Sequence, residues 1–220
     1  MKTGLIITGG RIDLAFAREF LQKEGKDAGC IVSVDGGLEM TKALGLMPNA
    51  IVGDFDTVHK EVLEEYRRDP AVLWDVHKPE KDETDTELAI HTAIKLGCRR
   101  LLILGATGGR LDHELSNIHL LKLCLDHQTE AFLYDAWNKV YLLTKGKVFG
   151  RKELYGTYVS FIPLTEQVRG ITLRGFKYLL TDKNICIGKE AGLCVSNELA
   201  EEEASIEFDS GILVCVESRD

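Results

Sequence analysis

The feature that most constrains this chain is an alternation repeated through its first half: an apolar run, a turn, then apolar residues at helical spacing. The first run (residues 4–8) stops at Gly9-Gly10, and Leu14, Ala17, Phe20 and Leu21 then recur at helical intervals as far as Gly25. A second run (30–34) ends in Asp35-Gly36-Gly37, ahead of a short helix closed by Gly45. A third (50–52) leads into Gly53-Asp54-Phe55-Asp56-Thr57. Residues 59–68 read as a polar helix and 71–76 as a strand. Thr84 and Glu87 stand at capping-box spacing and predict a helix over 85–96. The run 100–104 passes into Gly105-Ala106-Thr107-Gly108-Gly109-Arg110. A helix to about residue 127 follows, with Leu111, Leu115, Ile118, Leu121 and Leu125 as its expected apolar face. Strand, turn and helix in this order predict a parallel sheet with helices on its faces.

Near Thr144 the pattern changes. Short alternating runs punctuated by Gly, Pro and Asn replace the helices, which predicts a small antiparallel sandwich or barrel. Two domains are therefore expected, 1–143 and 144–220. Trp137, Tyr155, Tyr158 and Phe161 read first as packing residues and second as stacking partners for a ring-bearing ligand.

No apolar run approaches the roughly 20 residues that span a bilayer, and the opening run is too short for a signal peptide. A net charge of −8 argues against nucleic acid as the main partner, since a phosphate backbone needs a positive footprint. The six cysteines are scattered without C-x-x-C spacing and mostly sit in apolar runs, which predicts free thiols in a cytoplasmic protein.

Four stretches carry chemistry. Gly53-Asp54-Phe55-Asp56 ends a strand with two carboxylates one residue apart, which on an extended backbone share a face. Such a pair suits Mg²⁺, which takes one or two acids and fills its shell with water and phosphate oxygens; it also suits a solvated turn. Asp35-Gly36-Gly37 ends another strand. Lys81, Asp82 and Asp85 precede or open a helix, where a solvated entrance explains Asp85 but not Lys81 and Asp82. The glycine-rich turn 105–110 brings backbone N–H groups and Arg110 towards an anion, with Asp112 and His113 in the first turn beyond it. Acids for a metal, amides and an Arg for phosphate, and spare acids for a hydroxyl nucleophile are the parts that phosphoryl transfer needs.

These motifs resemble those of the thiamine pyrophosphokinase family. The matching residues are 34–37, Gly53-Asp54-Phe55-Asp56-Thr57, 80–89 and 105–113, with Val195-Ser196-Asn197-Glu198 and a Gly211-Ile212-Leu213-Val214 strand in the second half. Family members usually carry Ser where this chain has Thr57, a change that keeps the hydroxyl. The resemblance implies a Rossmann-like N-terminal parallel sheet with helices on both faces and a C-terminal antiparallel β-sandwich. It also implies pyrophosphate transfer from ATP to the hydroxyl of thiamine, and a homodimer with thiamine in clefts between subunits. By the same resemblance, Asp54, Asp56, Asp82 and Asp85 would form the catalytic, Mg²⁺-binding cluster. Asp35, Gly36, Gly37, Lys81, Thr107, Gly108, Gly109, Arg110, Asp112 and His113 would hold ATP, and Ser196 and Asn197 thiamine. Since two acids suffice for one Mg²⁺, Asp82 or Asp85 is left to orient or deprotonate the thiamine hydroxyl. The rival readings are a pyrophosphokinase for another hydroxyalkyl heterocycle, such as a reduced pterin, and a non-catalytic nucleotide sensor. A sensor should have lost some of these acids, and none is missing.

Overall fold

The structure, a computed structural model, describes residues 1–56, 58–76 and 82–220. The chain divides into two compact units, Met1–Ala136 and Trp137–Asp220.

The first unit alternates as its sequence predicts. Its strands are β1 (Thr3–Ile7), β2 (Ala28–Val34), β3 (Ala50–Gly53), β4 (Leu73–Val76), β5 (Arg100–Leu104) and β6 (Glu130–Tyr134). Its helices are α1 (Leu14–Lys23), α2 (Gly37–Ala43), α3 (Lys60–Arg67), α4 (Asp85–Lys95) and α5 (Leu111–Asp126). The strands lie in the order β4-β3-β2-β1-β5-β6, every neighbouring pair parallel. Leu5, Ile6 and Ile7 of β1 and Leu101 to Leu104 of β5 are buried, the near-continuous apolar run of a strand covered on both faces. Asp13 caps α1 by accepting from the Phe16 amide at 2.8 Å, and Thr84 caps α4 by accepting from the Glu87 amide at 3.2 Å.

Two details depart from expectation. β6 follows α5 as a strand that the sequence pattern did not mark. The buried stripe of α5 is Asn117, Leu121 and Cys124, while Leu111 and Leu115 of the expected face are 68% and 51% exposed. On the buried side, in the second turn, Asn117 Nδ2 donates to the Ala106 carbonyl at 2.9 Å.

The second unit is all-antiparallel. β7 (Asn138–Leu143), β13 (Leu213–Ser218) and β9 (Tyr158–Pro163) form one sheet in that order. β11 (Leu180–Cys186), β10 (Gln167–Arg174), β12 (Glu203–Glu207) and β8 (Lys147–Gly150) form the other. This unit begins ahead of the change of pattern at Thr144 because β7 pairs with β13 along its whole length. Phe149, Phe161 and Phe176 meet edge-to-face with centroids 5.8–5.9 Å apart, joining the two sheets as a sandwich and settling Phe161 as a packing residue. Glu217, 2% exposed, accepts from the Tyr141 hydroxyl at 2.7 Å and the Tyr155 amide at 2.8 Å, with Lys139 Nζ 3.6 Å away. A carboxylate so buried needs such partners.

All six cysteines are free, and only Cys186 is not fully buried. Among the described residues no helix is long and apolar enough to cross a membrane.

Candidate active site

The chain winds outward from β1 through β2, β3 and β4, then returns to the other side of β1 to lay down β5. The segments leaving β1 and β5 therefore diverge and open a crevice at the carboxyl ends of these strands, where open α/β sheets bind ligands. A cavity of about 510 Å³ occupies this place. Residues 8–11 line it from β1 and residues 105–107, Gly109 and Arg110 from β5. Asp35 lines it from β2, residues 84–86 from the start of α4, and His113, Glu114, Ser116 and Asn117 from α5. The two glycine segments touch: a side chain at Gly10 would run into the Gly105 carbonyl.

The acidic turn after β3 is built around Asp35. Asp35 Oδ1 accepts from the amides of Asp54 (3.1 Å) and Phe55 (3.3 Å). Phe55 sits at φ 63° with its ring buried edge-on to Trp74, in the cluster that also holds Leu38, Ile51, Val62 and Tyr66. The turn is thus not the extended strand end expected from its spacing. The strand stops at Gly53, the Phe55 ring is the anchor, and the Asp56 amide donates to Asp54 Oδ1 at 3.2 Å. Gly53 is at φ 143°, and a Cβ there would overlap the Asp35 carboxylate. Gly53→Ala is therefore expected to destabilise the protein by about 2 kcal/mol or more and to lower its activity together, because the acidic turn must shift. A thermal melt with unchanged Tm would show that Asp35 does not fix this turn.

Asp85, the first residue of α4, hydrogen-bonds Asp35. Burial, then the charges of Asp85 and Asp54, push the Asp35 carboxyl up to about 7. The structure thus brings Asp35, Asp54 and Asp85 together. Asp56 is exposed beside Asp54, and Asp82 is exposed ahead of α4. Among the described residues, no group of three or more His, Cys, Asp or Glu side chains is set closely enough to hold a metal unaided. Lys81 and Thr57 lie outside the described residues.

The glycine turn after β5 holds the chain's own carboxylates where an anion was expected. The Gly109 amide donates to Glu114 Oε1 at 2.7 Å. Arg110 grips Asp112 through Nε (3.1 Å) and Nη2 (2.6 Å), a hydrogen bond that holds the Asp112 carboxyl down at about 2. Both partners of that pair are exposed, so solvent weakens it and a phosphate can compete. Thr107, Gly109, Arg110 and His113 line the cavity; Gly108 and Asp112 of the same turn do not, nor do Gly36 and Gly37, which open α2.

In the second unit Ser196 is exposed at φ 55°, its amide donating to Ser160 Oγ at 2.9 Å. Asn197 is 1% exposed. Its Oδ1 accepts from the Tyr178 and Glu198 amides and its Nδ2 donates to the Tyr178 carbonyl, so it shapes the loop that presents Ser196.

Sequence reasoning missed Thr8, Arg11 and Glu114 as cavity residues, and Asp135, which accepts from the Thr107 hydroxyl at 2.5 Å. The Gly9-Gly10 stop after the first strand was the available signal for Thr8 and Arg11. Asp135 follows the unmarked strand β6.

Comparison with known proteins agrees with this geometry. The family model described as thiamin pyrophosphokinase, catalytic domain, matches residues 21–133, and that of the thiamin pyrophosphokinase vitamin B1 binding domain matches 147–213. The thiamine pyrophosphokinase of Bacillus subtilis is 32% identical over 225 residues, spanning all of both chains. The crystal structure of thiamine pyrophosphokinase from Bacillus subtilis superposes with TM-score 0.86 at 31% identity, covering 100% of each chain. That of the thiamin pyrophosphokinase from Geobacillus thermodenitrificans gives 0.83 at 31% identity, covering 100% of this chain and 98% of the other. A switch-point crevice edged by acidic turns, two matching domain models and a full-length relative together mean that the chain belongs to the thiamine pyrophosphokinase family.

Proposed function

We propose that the protein transfers the terminal pyrophosphate of ATP to the hydroxyl of thiamine, giving thiamine diphosphate and AMP. The observation that carries this reading is the crevice between the ends of β1 and β5, with the acidic residues Asp35, Asp54 and Asp85 on the same carboxyl edge. In the reaction the thiamine hydroxyl oxygen bonds to the β-phosphorus of ATP. The bond from that phosphorus to the α,β-bridging oxygen breaks, AMP leaves with the oxygen, and the hydroxyl proton passes to a carboxylate. Asp85 is favoured over Asp82 as that acceptor because it lines the cavity.

The donor set suits a hard divalent cation such as Mg²⁺: oxygens only, with Asp35 crowded between two like charges that a cation would relieve. Asp54 would hold it, with Asp56 and Asp82 on adjoining exposed turns and Asp85 beside it left to take the hydroxyl proton, and the bound ion would neutralise charge on the transferred group. Asp35, Thr107, Gly109, Arg110 and His113 would hold ATP, helped by Gly36, Gly37, Lys81, Gly108 and Asp112. Nucleotide entry would displace Glu114 from the Gly109 amide and Asp112 from Arg110. The match of residues 147–213 to a vitamin B1 binding domain supports thiamine contacts around Ser196 and the loop held by Asn197. A homodimer with thiamine in clefts between subunits belongs to the same reading. Free, mostly buried thiols suit a cytoplasmic setting.

The test is to incubate the purified protein with ATP, Mg²⁺ and thiamine and to separate the products by chromatography. Thiamine diphosphate with equimolar AMP is the expected result. ADP with thiamine monophosphate would overturn the reaction, and AMP formed only with a reduced pterin would overturn the substrate.

A further inference from the structure

The cavity has one wall on which donors are turned away from the ligand space. The Thr107 hydroxyl gives its hydrogen to Asp135 Oδ2 at 2.5 Å, and the Thr8 hydroxyl gives its own to the Leu104 carbonyl at 3.1 Å. Asn117, 8% exposed, turns its Nδ2 to the Ala106 carbonyl at 2.9 Å. All three residues line the cavity. A hydroxyl has one hydrogen, and once that is given to the protein its oxygen can only accept. A carbonyl can only accept, so it also fixes which way round the Asn117 carboxamide stands, leaving Oδ1 on the other side. Phosphate oxygens are acceptors at neutral pH and find no donor in these three side chains, and the Asp135 carboxylate behind Thr107 makes them less hospitable still. Arg11 and Arg110 also line the cavity and supply charged donors, and the Gly109 amide, which now donates to Glu114, is a further donor that a phosphate could take.

We propose that Thr107, oriented by Asp135, and Asn117 form an acceptor edge that selects a neutral hydrogen-bond donor of the nucleotide. That donor is an amino or hydroxyl group, and Thr107 contacts no phosphate. This deepens the nucleotide reading above and rests on it. Asp135 is a positioning residue: it touches no ligand and acts by holding the Thr107 hydrogen. Two parts of ATP supply such a donor, the exocyclic amino group of adenine and the ribose hydroxyls, and analogues separate them. Purine riboside triphosphate lacks the amino group, and 2′-deoxy- and 3′-deoxy-ATP each lack one hydroxyl.

Calorimetric binding of ATP and these three analogues, alongside kcat and KM for each with thiamine, tests the proposal. The wild-type protein should bind one analogue about tenfold more weakly than ATP, the cost of leaving an acceptor unmatched. The isosteric variant Thr107→Val should bind ATP about tenfold more weakly through KM, with kcat within about twofold, yet bind that same analogue as the wild type does. Thr107→Ser should restore discrimination. Asp135→Ala, which frees the hydroxyl to donate, should narrow the ratio of ATP to that analogue to about threefold or less; if it does not fold, Thr107→Val still decides. Equal weakening of ATP and all three analogues by Thr107→Val, or no discrimination in the wild type, would overturn the acceptor edge. ATP binding without turnover of thiamine would overturn the transfer reaction alone, and no nucleotide binding at all would overturn both.

Discussion

Replacing Asp54 with asparagine is expected to lower the single-turnover rate of AMP formation by about a thousandfold while leaving the fold intact. The isostere keeps an Oδ1 that can accept from the Asp56 amide, and the Asp54 amide can still donate to Asp35. The acidic turn should therefore hold its shape, and what disappears is one formal charge at the place where a cation would sit. About 4 kcal/mol of transition-state stabilisation is at stake, since each tenfold in rate is about 1.4 kcal/mol. Rapid-quench kinetics at saturating ATP and thiamine, with Mg²⁺ titrated, separates lost affinity for the metal from lost rate. A rate within fivefold of wild type at saturating Mg²⁺ would remove Asp54 from the reaction. Asp82→Asn and Asp85→Asn belong in the same series, with the larger loss expected at Asp85. Normal rates in both would end the case for either as the group that handles the hydroxyl proton.

The second large effect is on stability. The Asp35 carboxyl rises from 3.8 to about 7, through burial first and then the charges of Asp85 and Asp54. A folded chain that holds this proton more tightly than the unfolded one is fully stabilised by the group below about pH 4. It loses that contribution as pH climbs through about 7. At pH 8 the metal-free protein carries the penalty in full, and Asp35→Asn removes it. The asparagine Oδ1 can keep the bonds from the Asp54 and Phe55 amides, and its Nδ2 can donate to Asp85. Allowing for partial solvent screening, the variant should gain about 2 kcal/mol at pH 8, or roughly 4–8 °C in Tm, and almost nothing at pH 4. Melts in a chelator across this range should show the two curves converging on the acid side. Adding Mg²⁺ should raise the wild type towards the variant, since a cation relieves the same repulsion. Parallel curves at all pH values would mean that Asp35 carries no such penalty. An acid cluster that weakens the empty fold is the usual mark of a functional site, where stability is given up for charge.

Much of the first unit was legible because its signals are local. Apolar runs of strand length, apolar residues at helical spacing and the Thr84 cap set element type and limits, and α4 lies over Asp85–Lys95 against an expected 85–96. The motif residues could be named as candidates because Gly, Asp and Arg have few reasons to cluster at strand ends. Where local pattern had two solutions it misled. Leucines at 111 and 115 fit a helical stripe as well as Leu121 does, yet the buried side runs through Asn117, Leu121 and Cys124. Asp54 and Asp56 suited one face of an extended strand or a solvated turn, and local pattern could not choose. Phe55 adopts a left-handed conformation to reach the Trp74 cluster, and the two acids stand on a turn.

The sequence by itself determined the alternation of elements, the parallel sheet, the β-rich second half and the family, all of which rest on periods of two and 3.6 residues or on contiguous motifs. Only the tertiary structure decided the strand order β4-β3-β2-β1-β5-β6, because the choice of neighbour depends on how whole faces pack. That order sets Gly10 against Gly105, 95 positions along the chain, and so opens the crevice. It also decided that Asp35 grips the turn of Asp54, and that Thr107 gives its hydrogen to Asp135, 28 residues away. No local pattern encodes such pairs, since a hydrogen bond between distant residues exists only once the sheet has set their spacing.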